Sequence, residues 1–253
     1  MNNVFARKLR NAGPLGPDDM ERLEQVISDP FELGAREDLI HHGDDPENVH
    51  LVLTGMACRY KILPDGSRAI VALMLPGDIC DLHVAILGQM DHSIGTLTDC
   101  QIVRIPKNTI ADLLDNYPRI RHALFWSTLV DEAILREWLV NMGRRRSDHQ
   151  MAHLFCEVHT RLAAVDQLYD SLMPLTQEEL GDILGISSVH AQRVISGLRN
   201  QGLINVQDSR VSVQDFDALS EFAEFEADYL HLGEGRANGV DATAEHGAGR
   251  SPA

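Results

Sequence analysis

Residues 175–202 read Leu175-Thr176-Gln177-Glu178-Glu179-Leu180-Gly181-Asp182-Ile183-Leu184-Gly185-Ile186-Ser187-Ser188-Val189-His190-Ala191-Gln192-Arg193-Val194-Ile195-Ser196-Gly197-Leu198-Arg199-Asn200-Gln201-Gly202. Thr176, with Glu179 three residues on, forms a capping box and starts a helix. That helix offers Leu180, Ile183 and Leu184 to a core. Gly185 allows a tight reversal, because φ > 0 costs glycine little. Ile186 fills the space between two helices, and Ser187 caps the second. Val194, Ile195 and Leu198 form its apolar face. Ser188, Val189, Gln192 and Arg193 are left on the outside, near the N-terminal end. In a helix-turn-helix that end enters the major groove. Arg pairs with guanine, Gln with adenine, and Val meets a thymine methyl. Two plain helices joined by a turn would read similarly. The hairpin that follows, Leu203–Val206, a Gln207-Asp208-Ser209 turn and Arg210–Val213, supplies a wing and favours DNA.

Charge agrees once it is divided. The 253 residues carry a net −16. Residues 143–214 hold 7 Lys/Arg against 8 Asp/Glu, whereas 1–142 hold 13 against 21 and 215–253 hold 2 against 9. A nearly neutral middle with the basic run Arg144-Arg145-Arg146 lets DNA dock on an acidic chain. The run is either a phosphate contact or hinge ion pair, or a solvated helix start.

Upstream, Arg119 to about Met142 reads as a long helix opened by Pro118 and closed by Gly143. Ile120, Leu124, Ile134 and Trp138 fall at heptad spacing, with Ser127, Asp131 and Asn141 between them. The stripe can seal a dimer or pack on its own barrel. The reading adopted is the dimer seam. A further helix is expected over Asp148–Ala164. Before the long helix lie four strand candidates: Val49–Thr54, Met56–Leu63, Arg68–Leu75 and Gln101–Ile105. Pro64-Asp65-Gly66-Ser67 is the turn between the second and third. Short strands at this spacing give a β-sandwich or barrel. Helices are expected at Pro17–Ile27 and Pro106–Tyr117. The tail, 233–253, reads as disordered.

A family is recognisable here. The sequence resembles the Crp/Fnr family of bacterial transcription regulators over residues 18–232. Leu75-Pro76-Gly77-Asp78, the long helix before Gly143 and Leu175–Leu180 carry the resemblance. It implies an α+β chain: an N-terminal β jelly-roll sensor (1–117), a dimerisation helix (118–143) and a C-terminal winged helix-turn-helix (144–232). It implies double-stranded DNA, a second copy and RNA polymerase as partners. The DNA-contacting set is Thr176, Gln177, Ser187, Ser188, Val189, His190, Gln192 and Arg193, with Thr176 and Gln177 at phosphates. The dimerisation set is Ile120, Leu124, Ile134 and Trp138. The family's common recognition helix starts Ser-Arg-Glu-Thr-Val-Ser-Arg. Here Ser188 and Val189 replace the first Arg and the Glu, while Arg193 keeps the second Arg, so a different operator is expected.

The sensor's effector is not legible. Relatives hold a cyclic phosphate with an Arg-Ser pair, which matches the region of Asp91-His92-Ser93. No Lys or Arg lies between Ala69 and Val103, whereas Asp78, Asp81, Asp91 and Asp99 do. A phosphate among carboxylates is poorly held, so cAMP is not expected. No Cys precedes Cys58, which disfavours an N-terminal cysteine cluster. Cys80 with His83 is a weak metal pattern read as core or surface residues, and His149, His153 and Cys156 on one helix are read as a buried cysteine beside surface histidines. No metal site, catalytic residue or cofactor is assigned. A cupin-type metalloenzyme would need an H-x-H pair, and His41 and His42 are adjacent. A barrel serving only as a protein-interaction module is the alternative regulator. No apolar run spans a bilayer and no signal segment is read, so the chain is expected in the cytoplasm.

Overall fold

The computed structural model describes residues 3–168, 172–207 and 210–233. Two helices open the chain, α1 (Val4–Leu9) and α2 (Pro17–Val26). Pro17 sits at the first helical position, and the Asp19 carboxylate accepts from the Gly16 amide at 2.7 Å. The β domain follows: β1 (Pro30–Leu33), β2 (Asp38–Ile40), β3 (Asn48–Thr54), β4 (Ala57–Ile62), β5 (Arg68–Met74), the short α3 (Val84–Leu87), β6 (Ser93–Thr96) and β7 (Cys100–Pro106). These pair into two antiparallel sheets, ordered β1-β7-β3 and β2-β6-β4-β5. The β4–β5 turn forms where expected. Gly66 takes φ +85°, and the Leu63 amide donates to the Ser67 carbonyl at 2.8 Å.

Three apolar clusters arrange the molecule. Between the sheets lie Ile40, Val52, Ala57, Ala72, Met74 and Ile94. On the outer face of the first sheet, Val49, Leu51, Val103 and Ile105 pack under α1, α2 and α4 (Lys107–Asn116). β3 is therefore buried on both faces, which the polar residues of its alternation concealed. His50 is tolerated inside because Asp81 accepts from its ring at 2.8 Å and from its amide at 2.6 Å. On the second sheet, Cys58, Tyr60, Ile70 and Leu73 join the third cluster. That cluster continues through α5 (Pro118–Arg144) and α6 (Ser147–Ala163) into the C-terminal domain.

α5 does not stop at Gly143. It runs to Arg144, and Arg145 leaves in extended conformation. The Gln150 side chain donates to the carbonyls of Asn141, Met142 and Arg145 at 3.0, 3.3 and 2.9 Å. Those last-turn acceptors are thus satisfied without a left-handed glycine. The C-terminal domain adds β8 (Leu172–Met173), α7 (Gln177–Leu184), α8 (Ser188–Asn200), β9 (Ile204–Gln207), β10 (Arg210–Val213) and α9 (Phe216–Ala223). The wing is a sheet of order β8-β10-β9. Its expected turn lies partly outside the described residues, at Asp208 and Ser209, as does the tail beyond Gly233. The sequence reading missed α1, β1, β2, α3, β6, β8 and α9.

Candidate nucleic-acid interface

α7 starts on the expected capping box. The Glu179 amide donates to Thr176 Oγ1 at 3.1 Å, and the Thr176 amide to Glu179 Oε2 at 2.7 Å. Gly185 ends the helix in the left-handed region, φ +66°. Gly181 has a different task. A Cβ there would lie 2.6 Å from the Ile186 carbonyl, so the turn can close on α7 only over a glycine. Ser187 Oγ then accepts from the His190 amide at 3.3 Å and caps α8.

Val194, Ile195 and Leu198 are buried as expected, while Ser188, Val189, Gln192 and Arg193 are exposed. Val189 is 66% exposed, which no core requirement explains. Arg193 Nε makes one long contact to the Val189 carbonyl, 3.5 Å, and its side chain otherwise faces outward. Gln177 is exposed at the first turn of α7, where amides attract anions. His190 departs from the expected set. Its ring Nε2 lies 2.7 Å from Ser147 Oγ at the start of α6, and the residue is half-buried. It ties α8 to α6 and does not face outward with its neighbours. Sequence reading passed over Arg199 and Arg210, exposed cations on α8 and the wing. Both stood in plain view as isolated charges, without a motif to single them out.

The expected dimer residues are corrected by their burial. Ile120, Leu124, Ile134 and Trp138 are 0%, 1%, 5% and 7% exposed within the chain itself. Ile120 and Leu124 pack in the helical cluster under the first sheet, and Ile134 and Trp138 pack with α6. The polar members of the stripe are also engaged inside the chain. Asp131 pairs with Arg59 at 3.2 Å, and Asn141 donates to the Gln150 carbonyl at 3.2 Å. The heptad was real, and its partner is the chain's own core. Elsewhere α5 leaves Phe125, Leu129, Leu135, Leu139 and Met142 exposed.

A buried polar network joins the β domain to the winged domain. Arg161 of α6 donates to Asp78 Oδ2 at 2.7 Å, to the Leu73 carbonyl at 2.9 Å and to Glu157 Oε1 at 3.0 Å. Lys8 of α1 reaches Asp78 Oδ1 at 2.8 Å. Burial alone would raise the Asp78 pKa, but Lys8 and Arg161 outweigh it and hold it at about 2. Glu157 also accepts from Trp138 Nε1 and Tyr229 Oη, each at 3.0 Å, and burial raises its pKa. Two further pairs reach α7 from the β domain: Arg68–Asp182 at 2.7 Å and Arg36–Glu179 at 3.3 Å. Of the hinge triplet, Arg145 pairs with Glu137 at 2.7 Å, Arg146 pairs with Asp148 at 2.9 Å while staying exposed, and Arg144 is exposed.

The comparisons with known proteins match this two-part plan. The cyclic nucleotide-binding domain family matches residues 30–117, and the Crp-like helix-turn-helix domain family matches 137–222. The transcriptional activator FnrL of Cereibacter sphaeroides is 29% identical over 203 residues, 77% of this chain and 80% of that one. The chain belongs to the Crp/Fnr family. It is a transcription regulator of that type, with a helix-turn-helix DNA-binding domain. Another relative, the transcriptional activatory protein AadR of Rhodopseudomonas palustris, is 26% identical over 219 residues, 85% of this chain and 90% of that one. The solved structure of FixK2 from Bradyrhizobium japonicum shares the fold, with a TM-score of 0.67 at 21% identity over 77% of this chain and 96% of that one.

In this Crp/Fnr chain the matched cyclic nucleotide-binding domain is the β domain. The window without cations, Ala69–Val103, is entered from outside by Arg59. Its Nε donates to the Cys80 carbonyl at 2.8 Å and its Nη2 to the Ile79 carbonyl at 3.3 Å, beside the Asp131 pair. Ser93 already accepts from the His42 amide at 3.0 Å. Cys80 is fully buried, and burial pushes its thiol well up. His149, His153 and Cys156 do not converge: the His149 ring lies tilted against Phe222, 4.7 Å between centroids, while His153 lies 3.3 Å from Glu137. His153 is 1% exposed, so it is a core residue and not the surface histidine expected. Among the described residues no helix is long and apolar enough to cross a membrane.

Proposed function

We propose that this regulator is a two-fold dimer that reads a palindromic operator with α8, and that cAMP is not its effector. The observation that carries the reading is the group of exposed side chains, Ser188, Val189, Gln192 and Arg193, at the N-terminal end of α8. Thr176, Gln177 and Ser187 flank this group at the two helix starts, where phosphates are held. One recognition helix covers too few base pairs for useful specificity. Two related by a dyad read half-sites about 10 base pairs apart, centre to centre. The dyad partner would cover the second apolar face of α5, since a helix apolar on both faces must bury both. Phe125, Glu132 and Leu139 recur at one seam position, and Thr128, Leu135 and Met142 at the other.

The case against cAMP rests on charge. Arg59 reaches the stretch without cations, and Asp131 and two carbonyls already engage it. The relatives named above are called activators, which fits RNA polymerase as a further partner and the cytoplasm as the setting. Selection from random duplex DNA, followed by mobility shift, tests the reading. A two-fold symmetric consensus is expected, with its affinity unchanged by millimolar cAMP. An asymmetric site or no enrichment would overturn the dimer reading. Saturable stabilisation by cAMP would overturn the sensor reading.

A further inference from the structure

His83, Asp91 and His92 meet at the edge of the β domain, His83 just before α3 and the other two just before β6. One ligand atom from each lies within 4.8 Å of the other two. The two imidazole rings are 5.2 Å apart between centroids. Asp91 Oδ1 lies 2.6 Å from His92 Nδ1, and that hydrogen bond holds the Asp91 carboxyl below its usual range. A carboxylate can only accept, so the shared proton sits on Nδ1 and Nε2 keeps its lone pair. His92 is 9% exposed, and its Nε2 is buried with no hydrogen-bond partner among the described residues. The same holds for Nε2 of His83. Two orphaned nitrogens in one place are unusual, because each costs free energy unless something binds it.

We propose that His83, Asp91 and His92 form a site for one divalent transition-metal ion of the zinc class. Two imidazoles and a carboxylate suit such an ion better than calcium or magnesium, which prefer oxygen throughout. Arg59 repels a cation, but Asp131 pairs with it, and Asp81 and Asp91 add opposing charge. Ligand atoms about 2.1 Å from a tetrahedral ion stand roughly 3.4 Å apart, so loading would draw the three side chains inward. The ion has a way in, since Asp91 is exposed and His83 borders a cavity of about 470 Å³ between α3 and α5. Three protein donors leave the fourth position open to solvent. The site stands whether or not the operator reading holds.

The test uses the chelator-treated full chain and Zn²⁺ alone, by equilibrium dialysis, with Co²⁺ absorption as a second probe. The native chain should hold one more tight equivalent than His83→Ala/His92→Ala, which allows for weak binding at the other histidines. Asp91→Asn should weaken that equivalent by about tenfold or more, because a neutral amide replaces an ionised carboxylate ligand. Asp91 is exposed, so this variant keeps the test informative if the double variant misfolds by circular dichroism. Equal stoichiometry and affinity in native and variant chains would overturn the proposal. A thiolate charge-transfer band with Co²⁺ would do so too, by assigning the ion to a cysteine.

Discussion

Arg193 and His153 show how far single residues carry the chemistry. Arg193 is exposed and makes only a long contact to its own helix, so its guanidinium is free to bond a base edge. Arg193→Ala should weaken operator binding by about 1–3 kcal/mol and leave random DNA little changed. Mobility shifts on both duplexes check this; equal loss on both would make it a phosphate contact. Sequence exposed Arg193 because helical spacing alone sets its direction. It hid the direction of His190, whose partner Ser147 lies 43 residues away. His153 was equally hidden: its burial between α5 and the rings of Phe225 and Tyr229 is a tertiary event. Burial, helped by Arg145, lowers its pKa well below the ordinary value despite Glu137. The folded state therefore favours the neutral ring, and the unfolded chain takes up the proton first, near pH 6.5. The stability His153 contributes is complete above about pH 6.5 and is lost as pH falls toward its lowered value. His153→Asn should flatten the fall in urea midpoint between about pH 7 and 5. Some slope should remain, because burial lowers His83, His92 and His159 as well. An unchanged slope would mean the ring is protonated in the fold.

At the scale of elements, legibility followed the range of the determining contacts. α7, the turn and α8 were readable because capping box, glycine and cap lie within 28 residues and act locally. β1, β2 and β6 were missed because they are 4, 3 and 4 residues long and owe their existence to partners far along the chain. β1 pairs with β7 from Pro30↔Val103 to Leu33↔Cys100, a register no local pattern announces. α5 was found but turned the wrong way. Its sequence carries two apolar faces, and heptad spacing cannot say which one a second copy takes. The inward face is settled by burial, which leaves Leu139, 72% exposed, on the other. Leu139→Asp should therefore fold normally and sediment as a monomer. Ile134→Asp should instead place an unpaired carboxylate in the core and cost more than about 3 kcal/mol of stability. A dimeric Leu139→Asp chain with unchanged operator affinity would move the seam off this face.

The whole molecule behaves as a linked pair of domains because one apolar cluster runs from β4 and β5 through α5 and α6 to α7 and α8. Domains of one chain move independently unless their interface is large and hydrophobic. Here it is hydrophobic, and Arg161 crosses it with both ends of its guanidinium engaged, 6% exposed. Calorimetry of the native chain should accordingly show one transition whose calorimetric and van't Hoff enthalpies agree. Removing Arg161 breaks the link where it is least replaceable. Asp78 would keep Lys8 and the Leu75 amide, and Glu157 would keep only the neutral donors Trp138 and Tyr229. Stranding buried carboxylates in this way costs about 3–5 kcal/mol. Acid attacks the same link from the other partner. With Asp78 held at about 2, its contribution is complete above the unfolded value near 3.9 and is lost as pH falls through about 2. Arg161→Ala should thus split the melt at neutral pH into two transitions. The lower should be followed by Trp138 fluorescence, because its indole donates to Glu157 at this junction. A native chain that already melts in two steps would show that the domains are independent and that Arg161 steadies only α6. A variant that melts once, at a lower temperature, would show that the apolar cluster alone suffices to keep them together.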